Sequence, residues 1–330
     1  MYDHYIAVDW AKANMAIARM TREAKKIQTI EVPSSVRELT LYLSQLRGSK
    51  IITIEETTTS QWLYTELKPY VDEILVCDPY RNHLLSEGAK NDRIDAEKLV
   101  QLLRAGLLKP VFHSGDIFLE LRKIVSGYED LVKAGVRLKN QRSALFAGVG
   151  KTVGKDSLEK PVEKFVLEGM ESGIAWYESE KMRYEGEFSR VAKQHQMVRN
   201  LLSIPGIGEI NAMKIAAIVV DASRFKNRGH FLSYCGLVKL EKMSGGRSYG
   251  KKSSRCCRAL KCVFKTGALA VSREGSKNPL KDYFDYLIRE KGYPEHVARH
   301  ALARRIAVLT FGVLKSGKNL DIERLQKTKK

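Results

Sequence analysis

The sequence lacks any apolar run long enough to cross a membrane. Its densest apolar stretch, residues 215–220, is far shorter than the roughly 20 residues that a spanning helix needs. It also lacks a recognisable signal peptide and a lipidation motif. We therefore predict a cytoplasmic protein without a membrane partner.

Cysteine is scarce, and its spacing does not fit the sites that cysteine usually builds. The chain has five cysteines, and none forms a CxxC pair with a matching histidine spacing. An odd number that includes an adjacent pair argues against a disulfide framework and fits a reducing compartment. A zinc site is the weaker alternative, with Cys256, Cys257 and Cys262 as its ligands.

Acidic residues are few relative to basic ones. The chain has 57 lysines and arginines against 38 aspartates and glutamates, which gives a formal net charge of +19. So large an excess bears on partners rather than on fold. A polyanion such as nucleic acid is the natural partner, and each phosphate contact would add about 0.9 to the slope of log affinity against log salt concentration.

The basic residues concentrate in residues 242–265, which contain eight lysines and arginines and no acid. Serine, glycine and Tyr249 interrupt this run, which is typical of a nucleic-acid contact surface rather than of a solvated helix face. The residues predicted to bind nucleic acid here are Arg247, Lys251, Lys252, Arg255 and Arg258.

The first hundred residues alternate between strand and helix patterns. Strands are predicted at residues 5–8, 15–20, 26–32, 50–55 and 73–77. Helices are predicted at residues 34–46 with a serine N-cap, from about residue 60, and at residues 92–105. Three strands, helix, strand, helix, strand, helix is the order of an α/β ribonuclease-H-like fold.

Two long stretches, residues 116–146 and 160–196, have the composition and spacing of helices. The first repeats apolar residues such as Leu121 and Tyr128 every three or four positions, with Gly135 and Arg142 on the same seam. Together they predict a helical hairpin or a dimerising coiled coil. An ordinary helical subdomain is the alternative.

The segment that follows, LLSIPGIGEINAMKIA at residues 201–216, resembles the hairpin of helix-hairpin-helix DNA-binding modules. Gly206 and Gly208 precede an apolar helix, and glycine lets backbone N–H groups at a helix N-terminus approach a phosphate closely. We therefore predict a phosphate contact at Gly206 and Gly208. A simple turn is the alternative.

Four acids stand where a ribonuclease-H-like fold would bring them together. Asp9 and Glu55 each end an apolar strand, and Asp92 and Asp95 share a face at a helix start. Grouped carboxylates suit Mg²⁺ or Mn²⁺, and two such ions about 4 Å apart can cleave phosphodiesters. Taken singly, Asp92 could be an N-cap and Asp9 a turn residue, and Glu56 competes with Glu55.

Five segments stand out by their order and spacing along nearly the whole chain. They are IAVDWAK (residues 6–12), ITIEETT (52–58), KNDRIDAEKL (90–99), SIPGIGE (203–209) and FLSYCGLVKLEKMSGG (231–246). Together with NPLKDYFDYLIREKG (278–292) and ARRIAVLTFGVLKSGK (303–318), they resemble the DEDD transposases of insertion-sequence family 110, which are relatives of the Piv site-specific invertase.

The resemblance implies three domains. Residues 1–112 would form a RuvC-like domain, residues 113–198 a dimerising helical linker, and residues 199–330 a mainly α-helical transposase domain. The Mg²⁺ ligands would be Asp9, Glu55, Asp92 and Asp95. Such enzymes excise and insert their element in donor and target DNA, guided by a structured bridge RNA that the element encodes. They act as dimers that pair into tetramers, on the nucleoid DNA of a prokaryotic cell.

The family's nucleophilic serine lies in a Ser-Gly motif that Ser244-Gly245 matches. After this motif the family usually has Gly-Asn before Leu-Arg, whereas residues 250–261 here read GKKSSRCCRALK. A phosphoserine would conserve the energy of the broken phosphodiester, and Arg247 or metal ions could stabilise the charge. Without the family, a polar residue in a flexible loop is the alternative. The rival serines are Ser248, Ser253 and Ser254.

Other functions fit fewer of these features. A RuvC-type junction nuclease would use only the carboxylates and water, and leaves the basic C-terminal region with its serine motif unexplained. An actin-like ATPase needs a glycine-rich turn after its first strand, and WAKANMAIA supplies none. A non-catalytic nucleic-acid-binding protein would have no use for four clustered acids.

Overall fold

The structure is a computed structural model, and it describes residues 1–23, 26–79, 91–113, 117–253 and 255–322. The chain divides into two compact units, residues 1–116 and residues 117–330. The predicted helical linker and the predicted C-terminal domain therefore lie in the same compact unit. No helix in the described ranges is long and apolar enough to cross a membrane.

The first unit is built on a five-stranded mixed sheet with the strand order β3-β2-β1-β4-β5. The strands β1 to β3 pair antiparallel, and β1, β4 and β5 pair parallel. The elements are β1 (His4–Trp10), β2 (Asn14–Thr21), β3 (Gln28–Pro33), α1 (Val36–Gln45), β4 (Lys50–Glu55), α2 (Ser60–Leu67), β5 (Glu73–Cys77) and α3 (Asp92–Ala105).

This element order agrees with the predicted mixed α/β arrangement, and the predicted serine N-cap of the first helix is also present. Helix α1 starts at Val36, its N-cap is Ser35, and the Ser35 side chain makes no capping hydrogen bond. The preceding residue, Ser34, donates its hydroxyl to the carbonyl oxygen of Ala11 at 2.7 Å. Ser34 therefore ties the start of the helix to the loop after β1.

Helices cover both faces of the sheet, and this explains why its central strands are apolar throughout. Ile6 and Val8 face the side covered by α1 and α2, whereas Tyr5 and Ala7 face the side covered by α3. A strand buried on both faces has no polar alternation. Burial of a large residue such as Ile52 stabilises the fold by about 1.5–3 kcal/mol.

The second unit begins with two long helices. They are α4 (Ile117–Ala147) and α5 (Pro161–Gln194), and they pack as an antiparallel hairpin. Arg142 binds Glu171 across the hairpin at 2.8 Å. A Cβ atom on Gly135 would lie 2.4 Å from the ring of Tyr177, so glycine is needed where that ring packs. This seam confirms the predicted helical hairpin.

The rest of the second unit is mainly α-helical around one apolar core. It contains α6 (Gln196–Leu202), α7 (Glu209–Val219), α8 (Arg228–Tyr234), β6 (Lys239–Ser244), β7 (Arg247–Ser253), α9 (Arg258–Ser272), α10 (Pro279–Arg289) and α11 (Glu295–Ser316). Phe231, Phe264 and Phe311 pack together in this core. The strands β6 and β7 pair only with each other, as a two-stranded hairpin.

Candidate functional site

Two of the four predicted acids lie side by side at one edge of the sheet. The strands β1 and β4 are parallel neighbours, and Val8 is paired with Ile54. The next residues, Asp9 and Glu55, therefore meet where both strands reach their carboxyl ends. Both side chains are partly exposed, in contrast to the buried residues that precede them. The alternation in each strand places this pair on the face covered by α3, just beyond the buried residues Ala7 and Ile51.

The other two acids come from the first turn of α3, which packs against β1 and β2. Asn91 is the N-cap, and its side chain accepts a hydrogen bond from the backbone N–H of Arg93 at 3.0 Å. Asp92 is therefore not the N-cap, so the alternative role considered for it in the sequence analysis is wrong. Asp92 and Asp95 share a face of the helix, and the N-terminal end of the helix dipole favours their charge.

The four carboxylates act on one another electrostatically. Partial burial, and then the charges of Asp92, Glu55 and Asp95, raise the pKa of Asp9 to about 6. Partial burial, and then the charge of Asp95, raise the pKa of Glu55. Acids from three different elements thus share one field, and a bound cation would relieve their repulsion.

The donor chemistry of this cluster fits a hard divalent cation, because all four groups are carboxylates. Across the described ranges, however, no three histidine, cysteine, aspartate or glutamate side chains are close enough to hold a metal ion. The acids therefore share a field without forming a coordination shell. The zinc alternative at Cys256, Cys257 and Cys262 gains no such group either, and all five cysteines are free thiols.

Glu56, the competitor of Glu55, faces a different environment. Its carboxylate lies 3.7 Å from Nε2 of His113. The buried His113 ring also lies 3.4 Å from the Ser60 hydroxyl and packs on Tyr64 at 5.6 Å. Sequence reasoning missed His113, because a single histidine after β5 has no pattern around it. Its burial against Glu56 separates the surroundings of the two adjacent glutamates.

The predicted serine lies at the end of β6, in the hairpin. Gly245 and Gly246 have φ angles of 52° and 75°, which is the conformation of a two-residue type I′ turn. The turn places Ser244 directly opposite Arg247. Directly opposed residues in an antiparallel pair share a face. The serine hydroxyl and the guanidinium are therefore neighbours on the same side of the hairpin.

An extra residue in β7 decides which other side chains share that face. Glu241 is paired with Lys251 and Met243 with Ser248, so two steps along β6 match three steps along β7. Gly250, with a φ of 99°, lies in this β-bulge. Because β6 alternates regularly, the face that contains Ser244 is defined by a short set of residues. The set is Leu240, Lys242, Ser244, Arg247, Tyr249 and Lys252.

The opposite face of the hairpin has a different character. It contains Glu241 opposite Lys251, and Met243 opposite Ser248. Ser253, opposite Lys239, also lies there. The rivals Ser248 and Ser253 are thus turned away from Arg247, and Ser254 lies outside the described residues. The face of Ser244 has three cations and no acid.

The predicted glycine turn before α7 serves two different purposes. Gly206 has a φ of 86°, and a Cβ there would lie 2.6 Å from the carbonyl oxygen of Gly267. Gly206 is therefore a packing contact with α9. Gly208 is the N-cap of α7 and has open space around it. Glu209 follows in the first turn and accepts a hydrogen bond from the Ser189 hydroxyl.

Comparison with known proteins links both halves of the chain to one group of transposases. Residues 6–150 match the DEDD family model of the IS110 group, described as a transposase. Residues 198–284 match the model described as the transposase IS116/IS110/IS902 family. The first match contains the four acids, and the second contains the glycine turn and the hairpin.

Two curated proteins are similar to this chain over part of its length. An insertion element IS110 uncharacterized 43.6 kDa protein of Streptomyces coelicolor is 26% identical over 153 residues, which are 46% of this chain and 37% of that protein. A probable family 20 transposase of Pseudomonas aeruginosa is 26% identical over 152 residues, 45% of this chain and 44% of that protein. The chain thus spans less than half the length of the relatives it matches.

Proposed function

We propose that this chain, which belongs to the IS110 family of transposases, cuts and rejoins DNA with a metal-bound carboxylate cluster and a serine nucleophile. Membership rests on the two family models, which together match more than half of the chain. The observation that supports the chemistry most directly is the group of four acids, in which partial burial, and then the charges of Asp92, Glu55 and Asp95, raise the pKa of Asp9 to about 6.

In this proposal the carboxylates hold Mg²⁺ or Mn²⁺ on a ribonuclease-H-like sheet. The ligands would be Asp9, Glu55, Asp92 and Asp95. Three antiparallel strands followed by two parallel ones, with α3 against the sheet, support this assignment. Bound ions would polarise the phosphodiester and stabilise the charge on its oxygens. The role of the protein is to bring four anionic oxygen donors together from the ends of two strands and the first turn of one helix.

Ser244 would attack the DNA backbone. Its Oγ forms a bond to phosphorus and loses its proton, while the bond from phosphorus to one strand oxygen breaks and that oxygen becomes a hydroxyl. The phosphoserine conserves the ester for rejoining, when a strand hydroxyl attacks and Ser244 is released. Arg247, directly opposite Ser244, would stabilise the negative charge on the phosphate.

The partners follow from the same proposal. Donor and target DNA, and a structured guide RNA as the resemblance implies, would meet the basic residues of the second unit. The remaining contacts proposed earlier are Gly208, Lys251, Lys252, Arg255 and Arg258. Gly206 contributes by fixing the turn that exposes Gly208, because Gly206 itself packs against α9.

Self-association into dimers, and from dimers into tetramers, is supported by an apolar stripe on α5. Val162, Phe165 and Trp176 are 74%, 77% and 59% exposed, and Gly169 between them has open space around it. These positions are spaced by three, four and seven residues, which is the spacing of a coiled-coil seam. We propose that a second copy of the chain covers this stripe.

The test is the detection of a covalent protein–DNA adduct. Full-length protein is incubated with labelled DNA of the element end, guide RNA and Mg²⁺, and the products are separated under denaturing conditions. We expect an adduct with the wild type and with Ser248→Ala, whose serine lies on the opposite hairpin face, and none with Ser244→Ala. Mass spectrometry of the adduct peptide identifies the modified serine.

Three outcomes would replace this proposal. Cleavage without any adduct, equally efficient in Ser244→Ala, would favour the second candidate, a RuvC-type nuclease that uses the carboxylates and water. Cleavage that persists in Asp92→Asn or in EDTA would remove the metal-bound cluster from the reaction. Binding of nucleic acid with no cleavage under any condition would leave a binding protein.

A further inference from the structure

A second group of cations lies outside the hairpin face of Ser244. Lys261 and Lys265 are on α9, Arg304 is on α11, and Lys239 is the first residue of β6. All four act electrostatically on His300 of α11. Partial burial, and then the charges of Arg304, Lys265, Lys261 and Lys239, lower the pKa of His300. We call Lys239, Lys261, Lys265 and Arg304 the helical cation cluster.

The cluster has no compensating acid. None of its four cations forms an ion pair with a carboxylate in the part of the chain that the structure describes. Helix α9 contains no acid at all, and Glu295 of α11 is paired with Arg299. By contrast, Lys133 pairs with Asp130 and Arg183 pairs with Glu180 in the same unit. Uncompensated like charges are costly, and a bound polyanion relieves that cost.

The cations of α9 border an open groove. The groove measures about 430 Å³ and is lined by Arg258, Lys261, Cys262, Lys265, Thr266 and Leu269. Buried residues such as Leu260 and Phe264 hold the opposite side of the helix in the core. The seven-residue separation of Arg258 and Lys265 corresponds to about 10 Å of helix rise. That distance matches roughly three base-pair steps of duplex DNA.

The lining also indicates which nucleic acid fits. Single strands and sequence-specific RNA sites bind through bases stacked on aromatic side chains. No aromatic residue lines this groove. A straight row of cations on a rigid helix instead suits a sequence-independent contact with the phosphate backbone of a duplex.

We propose that the helical cation cluster binds the phosphate backbone of duplex DNA, as a surface separate from the face of the hairpin that contains Ser244. The proposal rests on the function proposed above, because it assigns a DNA duplex as the partner of the second unit. The cluster anchors the duplex without reading its sequence. The hairpin contacts the reacting strand.

The experiment measures binding of a labelled DNA duplex to the full-length chain at several salt concentrations. The variant is the triple substitution Lys261→Gln, Lys265→Gln and Arg304→Gln. If each cation makes one phosphate contact, the slope of log affinity against log salt falls by about 2.7 relative to the wild type. Circular dichroism and thermal unfolding verify the fold, which these exposed or partly exposed positions should leave unchanged.

The matched control is the triple substitution Lys133→Gln, Lys160→Gln and Arg183→Gln. It removes the same number of lysines and arginines from ion-paired positions on α4 and α5 or beside them. We expect its salt slope to stay near that of the wild type. Equal losses in both variants would reduce the effect to net charge, and an unchanged slope in the cluster variant would overturn the proposal.

A competition arm separates DNA from RNA. The same variants are titrated with a structured RNA of equal length and with single-stranded DNA. A loss confined to RNA would overturn the assignment to duplex DNA. If the wild type binds no duplex, the proposed function fails as well, whereas a wild-type duplex complex that the cluster variant retains overturns this inference alone.

Discussion

The strands β1 and β4, with Asp9 and Glu55 near their carboxyl ends, run through a sheet whose central residues are buried on both faces. By contrast, every residue of β6 and β7 is exposed. Helix α3, which is capped by the side chain of Asn91, adds Asp92 and Asp95 to the carboxylate cluster. In the described residues, the hairpin is held by the hydrogen bonds between β6 and β7 and by its glycine turn. An isolated two-stranded hairpin is marginally stable in water.

The difference suggests that the carboxylate cluster and the hairpin are positioned in different ways. The fold brings the carboxylates into one electrostatic field before any ligand arrives, at the cost of mutual repulsion. The hairpin has a defined register, but among the residues that the structure describes no element buries either of its faces. Its final position would come from the nucleic acid or the protein surface that covers it, so substrate binding would complete the serine site.

The largest expected effect tests whether Glu55, and not the adjacent Glu56, is the glutamate that DNA cleavage requires. Glu55→Gln should reduce Mg²⁺-dependent DNA cleavage by about three orders of magnitude, the scale of single essential groups in enzymes. Glu56→Gln is the matched control, because Glu56 faces His113 instead. We expect a reduction of less than about tenfold there. Single-turnover cleavage rates measure both, and equal losses would contradict a pre-positioned Glu55.

The second effect concerns the glycine turn, which was predicted as a ligand-binding loop and turns out to be anchored in the core. Gly206→Ala combines an unfavourable φ with a clash against Gly267, so we expect a loss of about 3 kcal/mol in the free energy of unfolding. Gly208→Ala, in open space with a φ of −86°, should cost less than about 1 kcal/mol.

Urea denaturation followed by circular dichroism measures both glycine variants. Equal losses would show that Gly206 makes no special contact and that the turn resembles the hairpin. A large loss of unfolding free energy confined to Gly206→Ala would show that packing in the core fixes the turn, as it fixes the sheet. Gly208 would then remain available for a phosphate.

The smallest effect is a pH dependence that the acid cluster alone should show. The folded state holds the pKa of Asp9 at about 6, against a reference value of 3.8, so the folded state binds more protons between these values. The contribution of protonated Asp9 to the free energy of unfolding is fully present below about pH 4 and is lost as the pH rises through about 6. Asp9→Asn should therefore stabilise the metal-free protein at pH 7 by about 1 kcal/mol, after allowance for solvent screening.

Tryptophan fluorescence during urea denaturation in EDTA measures this difference. Trp10 and Trp62 are in contact at 5.8 Å and report on the first unit, and a Trp176→Phe background removes the other tryptophan. The advantage of Asp9→Asn should disappear below pH 4. A variant that is less stable than the wild type at pH 7 would show that the acids do not repel one another in the fold.

The same contrast explains how much could be predicted from the sequence. Apolar runs such as residues 6–8 and 51–54 predict buried strands because their pattern reflects burial on two faces. The acids that end those strands followed from the same pattern. The two long helices, and the place of Gly135 on the seam between them, could also be predicted from the spacing of apolar residues within each segment.

The rest depended on contacts that no local pattern encodes. The strands β6 and β7 were not predicted, because an exposed hairpin has no buried face and hence no apolar alternation. The contact of Gly206 with Gly267, and that of His113 with Glu56, join residues distant in sequence. The helical cation cluster likewise combines residues of three elements.

The bulge in β7 has a consequence for how the length of the hairpin can change over evolution. Arg247 and Lys252 share a face only because one residue between them is left out of the alternating pattern. Deletion of Gly250 would remove the bulge and keep both cations on the face of Ser244. Insertion of one further residue would require a second irregularity, or would turn Lys252 to the far side. This strand can therefore shorten by one residue more easily than it can lengthen.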